Sequence, residues 1–229
     1  MGNSELTSES EFTEHLQKAL PADLPNRDRC IEGAARHLAL MAEANQQFNL
    51  TRISSPHEAA IKHVADSVLP WRLFASARHI ADAGSGAGFP GIPLAFVLPE
   101  TQFTLVESRQ KKAAFLSSAV AALGLTNVTV ISERVETWIL TQSPDTLVTA
   151  RALAPLSDAI PLFAKALSKG IRVLLYKGPE VQAQISEATV LPKNRKYGFR
   201  ILQEYELPDQ LGSRCVVELA LSVKQRQAR

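Results

Sequence analysis

The sequence is poor in cysteine, and its two cysteines, Cys30 and Cys215, lie far apart without any C-x-x-C pair or Cys/His cluster. This scarcity argues against a disulfide framework, a zinc site and a redox dithiol, so no metal site is expected. A reducing compartment suits such a chain, and we therefore expect a cytoplasmic protein.

Long apolar runs are also missing, since none approaches the length of about 18 residues typical of a membrane-spanning helix. The first residues, Met1–Glu5, are polar and acidic, so we expect neither a membrane span nor a secretion signal. The sequence also lacks a large excess of either charge, because 25 Lys and Arg nearly balance 23 Asp and Glu. With a net charge of +2, any RNA binding must depend on local basic clusters.

The richest local signal is a glycine run behind an acidic residue, Asp-Ala-Gly-Ser-Gly-Ala-Gly-Phe-Pro-Gly-Ile-Pro at 82–93. Apolar residues precede and follow it, which predicts a strand end, a tight turn and a helix start. Such a turn is the ligand-binding corner of an α/β sheet. Glycine is needed there because it adopts positive φ cheaply and lets a ligand approach the backbone.

Several classes of ligand bind at glycine-rich turns, and the residues that flank the turn distinguish between these classes. A P-loop is excluded because no Gly-Lys-Ser or Gly-Lys-Thr follows. The pattern G-x-G-x-x-G fits Gly86–Gly91, which keeps an NAD- or FAD-dependent oxidoreductase as an alternative, although it places rigid Pro90 at the start of the pyrophosphate-binding helix. The register D-x-G-x-G-x-G from Asp82 favours S-adenosylmethionine, because a carboxylate suits a cationic ligand better than a pyrophosphate.

A second carboxylate supports an adenosine-bearing ligand of either type. Glu107 follows the short β-rich run Gln102–Val106 and lies 23 residues after Gly84. This spacing places it at the tip of the next strand, where it can accept hydrogen bonds from both ribose hydroxyls. The alternative is an exposed charge at a strand end.

Hydrophobic periodicity divides the chain into three parts. We expect a disordered lead over residues 1–10, a helical cap over 11–76 and an α/β domain over 77–229. In the last part strands alternate with helices, which predicts a parallel sheet whose ligands bind at the carboxyl ends of the strands. The predicted strands are 78–83, 102–107, 127–132, 146–150 and 171–176, the helices are 90–98, 109–123 and 156–168, and a terminal antiparallel hairpin covers 197–207 and 214–223.

Seven short signatures occur in a single order along the chain. They are Asn49-Leu50-Thr51, His63-x-x-Asp66-Ser67, the run 82–93, Glu107-Ser108-x-x-Lys111-Lys112, Arg134-Val135-Glu136, Ala150-Arg151-Ala152 and Lys177-Gly178. In this combination the chain resembles the bacterial 16S ribosomal RNA guanine-N7 methyltransferase family, first named glucose-inhibited division protein B, over about residues 40–180. The resemblance implies a Rossmann-like class I methyltransferase sheet that uses S-adenosylmethionine to methylate a guanosine in 16S ribosomal RNA or the small ribosomal subunit. A monomer is expected.

The resemblance also implies roles for individual residues. Phe89 matches a turn residue used against the cofactor, while Val135 and Glu136 fall where the family places a backbone amide and a side chain around adenine. Many members have Ala where this chain has Val135. The resemblance therefore supports a contact between the backbone amide and adenine more than a contact made by the side chain. Arg151 matches a site arginine, which we expect to act as the catalytic residue by holding the guanine or its phosphate. The expected cofactor-binding set is Asp82, Gly84, Gly86, Gly88, Phe89, Glu107, Val135, Glu136 and Arg151.

Further polar residues are candidates for the RNA side of the site. His63 and Asp66 are three residues apart and share a helical face, so they are expected to tie the cap to the sheet or to line the site. A Ser-His-Asp triad is not expected, because no G-x-S-x-G elbow is present. Lys177 is expected to face RNA phosphate or solvent. A basic rim is predicted from Arg109, Lys111, Lys112, Lys193, Arg195, Lys196 and Arg200, with Lys224, Arg226 and Arg229 in the tail.

The chemistry of the target atom sets what the site must contain. Guanine N7 has a free lone pair and no proton to remove, so methyl transfer depends on in-line alignment more than on a general base. A cysteine nucleophile is not expected, since Cys30 falls in the cap and Cys215 in the hairpin. A noncatalytic ribosomal RNA-binding assembly protein remains the third possibility.

Overall fold

The computed structural model describes residues 9–53 and 55–222. Its strands are β1 (His79–Ala83), β2 (Gln102–Val106), β3 (Val128–Ile131), β4 (Thr146–Arg151), β5 (Arg172–Lys177), β6 (Tyr197–Glu206) and β7 (Ser213–Leu221). Within the described residues they form one seven-stranded sheet in the order β3-β2-β1-β4-β5-β7-β6. Strands β1 to β5 are parallel, and β7 is antiparallel to both β5 and β6.

This sheet confirms the predicted α/β fold with a terminal antiparallel hairpin. The five parallel strands lie within one residue of their predicted ends. The predicted end of the last strand, Val223, lies outside the described residues.

The helices are α1 (Glu9–Ala19), α2 (Arg27–Asn45), α3 (Pro56–Ala59), α4 (Asp66–Val68), α5 (Gly91–Val97), α6 (Gln110–Ala122), α7 (Val135–Trp138), α8 (Leu156–Ser168) and α9 (Val181–Val190). A π-helical segment, Ala60–Ala65, joins α3 to α4. Because α1 begins at Glu9, the predicted disordered lead of residues 1–10 is wrong for Glu9 and Ser10, and residues 1–8 lie outside the description. None of the described helices is both long and apolar enough to cross a membrane.

Local sequence explains where several helices begin. Acidic Glu9 and Glu11 lie in the first turn of α1 and Lys18 lies in its last turn, which suits the helix dipole. The Ser55 hydroxyl accepts a hydrogen bond from the Glu58 amide, and Pro56 occupies the first helical position of α3. These local features favour the helix starts that are observed.

Alternate side chains of each strand enter two separate cores. Ile80 and Phe103 belong to a core with Phe12 and Leu38 of the N-terminal helices. Ala81, one residue after Ile80, belongs to the core beneath α8 on the other face. The N-terminal helices therefore cover one face of the sheet and share its core.

Candidate functional site

The predicted glycine turn connects β1 to α5 at the carboxyl edge of the sheet. Gly84, Gly86 and Gly88 have φ values of +70°, +60° and +98°, a region that favours glycine. The amides of Gly84 and Ser85 donate to the Val106 carbonyl at 2.8 and 3.3 Å, which ties the turn to β2. A Cβ on Gly86 would meet only one atom within 4 Å, at 3.8 Å, so a ligand can approach the backbone there.

Asp82 holds this turn from its buried side. The carboxyl group is wholly buried, and its Oδ2 accepts a hydrogen bond of 3.0 Å from the Gly91 amide at the start of α5. Burial raises the pKa of Asp82 to about 7, although the Gly91 hydrogen bond opposes this. Gly91 itself has no room for a side chain, since a Cβ would lie 2.3 Å from Leu105 Cδ2.

Glu107 lies beside the turn, as its spacing predicted. Its Oε2 accepts from the Gly86 amide at 3.0 Å, and its Oε1 accepts from the Arg109 amide at 2.8 Å. The residue is only 6% exposed, so both bonds are shielded from water. The carboxylate is thereby fixed at the end of β2, and its contact with a ribose stays a prediction.

Val135 and Glu136 begin α7, which follows β3 on the same edge. The Glu107 amide donates to the Ile131 carbonyl at 3.0 Å, so the ends of β2 and β3 are adjacent. Val135 is buried, whereas the Glu136 carboxylate is partly exposed and lies 3.8 Å from Arg134. Their position just after β3, whose end adjoins that of β2, fits an adenine contact, which stays a prediction.

The Phe89 side chain packs toward the cap. It is 5% exposed, and its ring stacks on His63 with centroids 4.6 Å apart and planes 11° apart. The ring centroid lies 4.8 Å from that of His37 and 5.3 Å from the Arg151 guanidinium carbon. These contacts account for a buried aromatic residue, and contact of Phe89 with a cofactor stays a prediction.

Sequence reasoning missed His37, which reaches the turn from α2. Its Nε2 lies 2.8 Å from the Ala87 carbonyl oxygen, and the ring is wholly buried. Burial lowers the pKa of His37 to about 4, against the effect of the Ala87 hydrogen bond, so the ring is neutral near pH 7. Since a carbonyl only accepts, Nε2 carries the proton. A histidine on the apolar face of an amphipathic helix carries no sequence signal for this role.

Arg151 lies at the end of β4 and binds the π-helical segment. Its Nη1 donates to the carbonyls of Lys62 and His63 at 2.9 and 3.2 Å and to Asp66 Oδ2 at 3.1 Å. The side chains of Arg151 and Asp66 are 14% and 6% exposed. This buried ion pair agrees with the expected tie between cap and sheet. Single π-helical turns occur frequently at functional sites.

The contacts of His63 determine its tautomer. Arg151 Nη2 lies 3.3 Å from His63 Nδ1, and a guanidinium can only donate, so Nδ1 is the acceptor. The proton is therefore on Nε2, which donates to Thr51 Oγ1 at 3.0 Å. Burial, with the charge of Arg151, lowers the pKa of His63 to about 3. The Ser67 hydroxyl donates to the His63 carbonyl and not to its ring, so these residues form no catalytic triad.

Two hairpin residues complete this cluster, and no sequence motif pointed to either of them. The Tyr205 hydroxyl donates to Asp66 Oδ1 at 2.9 Å. Arg214 Nε lies 3.9 Å from the same oxygen. Asp66 thus joins the cap to β4 through Arg151 and to the hairpin through Tyr205 and Arg214.

A cavity of about 600 Å³ opens beside this cluster, at the carboxyl ends of β4 and β5. Lys62, Arg151, Lys177 and Arg214 line it. Lys177 Nζ donates to the Ala154 carbonyl at 2.5 Å, and partial burial lowers the pKa of Lys177. Several cations around one cavity favour a ligand that carries negative charge or many hydrogen-bond acceptors.

The basic residues predicted to form a rim lie in two separate groups. Arg109–Lys112 follow β2 at the carboxyl edge, whereas Lys193, Arg195 and Lys196 precede β6. On β7, Leu219 pairs with Val173 near the start of β5. Tyr197, the first residue of β6, pairs with Leu221, two residues further along β7. Tyr197 therefore lies at the amino ends of the parallel strands. Helix α9, which was not predicted, returns the chain to the amino edge, so the two basic groups lie at opposite ends of the strands. Lys224, Arg226 and Arg229 lie outside the described residues.

A family model described as rRNA small subunit methyltransferase G, GidB, matches residues 31–199 of this chain. The chain belongs to the GidB family. This confirms the resemblance predicted from the seven signatures. It makes the protein an rRNA methyltransferase with S-adenosylmethionine as its methyl donor and small-subunit ribosomal RNA as its substrate. The oxidoreductase and noncatalytic alternatives are not favoured.

Individual relatives agree with the family match. The ribosomal RNA small subunit methyltransferase G of Solibacter usitatus is 61% identical over 208 residues, which cover 91% of this chain and 99% of the relative. The protein of that name from Wolinella succinogenes is 36% identical over 181 residues, covering 77% and 92%. A crystal structure of ribosomal protein L11 methylase from Lactobacillus delbrueckii subsp. bulgaricus matches 70% of this chain and 79% of its own, with a TM-score of 0.52 and 16% identity. That likeness shows the fold alone.

Proposed function

We propose that this GidB-family protein transfers the methyl group of S-adenosylmethionine to N7 of a guanosine in 16S ribosomal RNA, acting as a monomer in the cytoplasm. The observation that carries the proposal is the position of the cation-lined cavity at the sheet edge that also bears the glycine turn and Glu107. A methyl donor on the turn and a base in the cavity would both lie at the carboxyl ends of the strands.

Two features of the turn fit the cofactor: hydrogen bonds hold its backbone in place, and the space beside Gly86 is open to a ligand. S-adenosylmethionine supplies an electrophilic methyl group on its sulfonium. We assign the backbone of Gly84, Gly86 and Gly88, braced by Asp82, to the amino-acid end of the cofactor. Glu107 is assigned to the ribose, and Val135 with Glu136 to the adenine. Phe89 positions the turn against the cap.

The protonation states in the site suit N7 as the methyl acceptor. His37 and His63 are neutral near pH 7, and their N–H groups are engaged by Ala87 and Thr51. N7 methylation needs no base to remove a proton, so alignment is the main requirement on the protein. An exocyclic amine would require proton removal in addition.

We assign Arg151 to direct contact with the guanine or its phosphate. Its Nη1 and Nη2 are held by the π-helical segment and Asp66, while Nε has no acceptor among residues 9–53 and 55–222. The Nε–H is thus available to an acceptor on the substrate and is already oriented. His63 and Asp66 act as positioning residues for Arg151, and Lys177 is assigned to a phosphate.

The decisive experiment is mass mapping of nucleosides in 16S ribosomal RNA. RNA from cells that lack the protein is incubated with purified protein and labelled S-adenosylmethionine, digested and analysed. We expect one 7-methylguanosine. A different methylated nucleoside would overturn the N7 assignment. Calorimetry with S-adenosylmethionine and NAD provides an independent check, in which only the former is expected to bind.

The role of Arg151 is tested with two substitutions. Arg151→Lys keeps the charge beside Asp66 but lacks the Nε–H, and we expect kcat to fall by about 100-fold, as on loss of a positioned donor. Arg151→Ala should lose at least as much. Affinity for S-adenosylmethionine, measured by calorimetry, should change little for Arg151→Lys. Unchanged turnover in Arg151→Lys would remove the Nε–H from the mechanism.

A further inference from the structure

Basic residues cluster at the amino edge of the hairpin, away from the cavity. Between residues 188 and 203 the sequence has four Lys or Arg and no acidic residue. Their side chains are exposed, as is that of Arg172 at the start of β5. We call these residues the amino-edge surface: Arg172, Lys193, Arg195, Lys196 and Arg200.

One carboxylate organises two members of this surface. Glu218 Oε1 accepts from Arg172 Nε at 3.1 Å, and its Oε2 accepts from Arg200 Nη2 at 2.7 Å. The arginine side chains remain 51% and 71% exposed, so their other N–H groups reach solvent. Two guanidiniums around one carboxylate leave a net positive charge. Within the described residues, no ion pair neutralises Lys193, Arg195 or Lys196.

The same surface contains a groove of about 500 Å³, whose lining includes Arg172, Gly198, Arg200, Glu218 and Ser222. Arg172 and Arg200 meet at Glu218 on one face of the hairpin, while the ring of Phe199 packs into the core on the opposite face. The groove therefore offers positive charge and N–H donors, which suit the phosphate backbone of RNA.

The chain adds further positive charge where the described part ends. The Ser222 hydroxyl donates to the Arg195 carbonyl at 3.3 Å, so the last described residue lies on this surface. The following sequence, Val-Lys-Gln-Arg-Gln-Ala-Arg, has three basic residues and no acidic one. The chain thus continues from the amino-edge surface with a segment of the same charge.

The amino-edge surface is well separated from the transfer site. Tyr205, which binds Asp66 beside Arg151, and Tyr197 are eight residues apart on β6. At roughly 3.3 Å per residue this separation is about 25 Å. An RNA that occupies both places must therefore extend well beyond the target base.

We propose that the amino-edge surface is a second RNA-binding site, which holds the phosphate backbone of a folded segment of 16S ribosomal RNA about 25 Å from the methyl-transfer site. This inference rests on the proposed function and specifies its substrate as an extended RNA. The surface contributes affinity through phosphate contacts and takes no part in the chemical step.

The test removes three charges that have no ion-pair partner among the described residues. The variant is Lys193→Gln with Arg195→Gln and Lys196→Gln. The matched control, Lys18→Gln with Arg29→Gln and Arg36→Gln, removes three exposed charges from α1 and α2. Binding to protein-free full-length 16S ribosomal RNA is measured by filter retention at several salt concentrations. Methyl transfer to the same RNA is measured in parallel.

We expect the amino-edge variant to bind the RNA about tenfold more weakly than wild type and to lower the slope of log affinity against log salt by about two. KM for the RNA should rise by about the same factor, while kcat and S-adenosylmethionine affinity stay unchanged. The control should stay within about twofold of wild type.

Three results would overturn the inference. They are unchanged binding to the protein-free RNA, an equal loss in the control variant, or a fall in kcat with RNA affinity unchanged. If wild type binds the RNA but transfers no methyl group, the proposed function fails, and the binding comparison still decides the role of the surface.

Discussion

Two clusters of arginine and carboxylate lie at opposite edges of the same sheet and differ in burial. At the carboxyl edge, Arg151 and Asp66 are 14% and 6% exposed, backbone carbonyls accept from Arg151 Nη1, and a tyrosine donates to Asp66. At the amino edge, Arg200 is 71% exposed against a Glu218 that is 14% exposed. The same kind of ion pair is part of the core in one place and of the surface in the other.

This difference shows that environment and not ion-pair chemistry decides what such a cluster contributes. A buried charge that loses its partner keeps its desolvation cost, so each group of the Asp66 cluster depends on the others. An exposed charge is hydrated and screened, so Arg200 contributes little to folding and stays available to a partner. The first cluster orders a site, and the second can attract RNA.

The comparison is tested most strongly by removing each carboxylate. Asp66→Ala leaves the buried Arg151 guanidinium without its counter-ion, and we expect the free energy of unfolding to fall by about 3–5 kcal/mol in urea titrations. Glu218→Ala serves as the matched variant and should lose about 1 kcal/mol or less. Similar losses from both substitutions would contradict the contrast between the edges.

The second test uses a glycine with positive φ at each edge. A Cβ on Gly88 (φ +98°) would lie 2.6 Å from Ile92 Cδ1 and 3.1 Å from His37 Cε1. Gly170 (φ +81°), before β5, has no atom within 4 Å of such a Cβ. We expect Gly88→Ala to cost about 2–5 kcal/mol, from backbone strain with overpacking, and Gly170→Ala about 1–2 kcal/mol, from strain alone. Chemical denaturation measures both, and equal costs would show that packing at the turn can relax.

The third test separates the edges by pH. His37 has a pKa of about 4 in the folded protein, below its ordinary 6.5. Its contribution to the free energy of unfolding is therefore complete above pH 6.5 and is lost as the pH falls toward 4. Between pH 7 and pH 5 this loss is about 2 kcal/mol. His37→Gln keeps a donor for Ala87 and does not titrate, so its free energy of unfolding should change less over this range. An unchanged pH profile would contradict the assignment.

The amino edge should respond only to stronger acid. Burial raises the pKa of Glu218, but hydrogen bonds from Arg200 and Arg172 outweigh this effect, and the net pKa lies below the ordinary 4.5. Glu218 therefore contributes to the free energy of unfolding above pH 4.5, and this contribution is lost as the pH falls further. Acid sensitivity between pH 6.5 and pH 5 is consequently expected from His37 and His63 at the carboxyl edge, partly offset by Asp82, whose raised pKa adds stability as the pH falls.

The smallest effect is expected for Arg200→Gln. The arginine is exposed and screened, so the free energy of unfolding should change by less than about 1 kcal/mol. The difference should shrink further in about 0.5 M salt. Thermal melts of wild type and variant at low and high salt measure this. A loss as large as that of Asp66→Ala would show that Glu218 is a core ion-pair partner.

Much of the α/β sheet could be predicted from local patterns. Apolar runs located the parallel strands to within one residue, because a strand buried on both faces needs a continuous apolar sequence. The spacing of Glu107 from Gly84 also predicted its place beside the glycine turn, because successive parallel strands end at the same edge of the sheet. Helix α9 was missed, and with it the separation of Lys193 from Lys177.

The sequence by itself determined the order of strands and helices, the glycine turn and the family, because these depend on periodicity, spacing and short motifs. Only the tertiary structure decided that His37 holds Ala87 and that Tyr205 and Arg214 meet Asp66 beside Arg151. These partners are separated by 50 or more residues along the chain. Their contacts arise from the packing of the cap and the hairpin against the sheet, and no local pattern encodes which distant side chains that packing brings together.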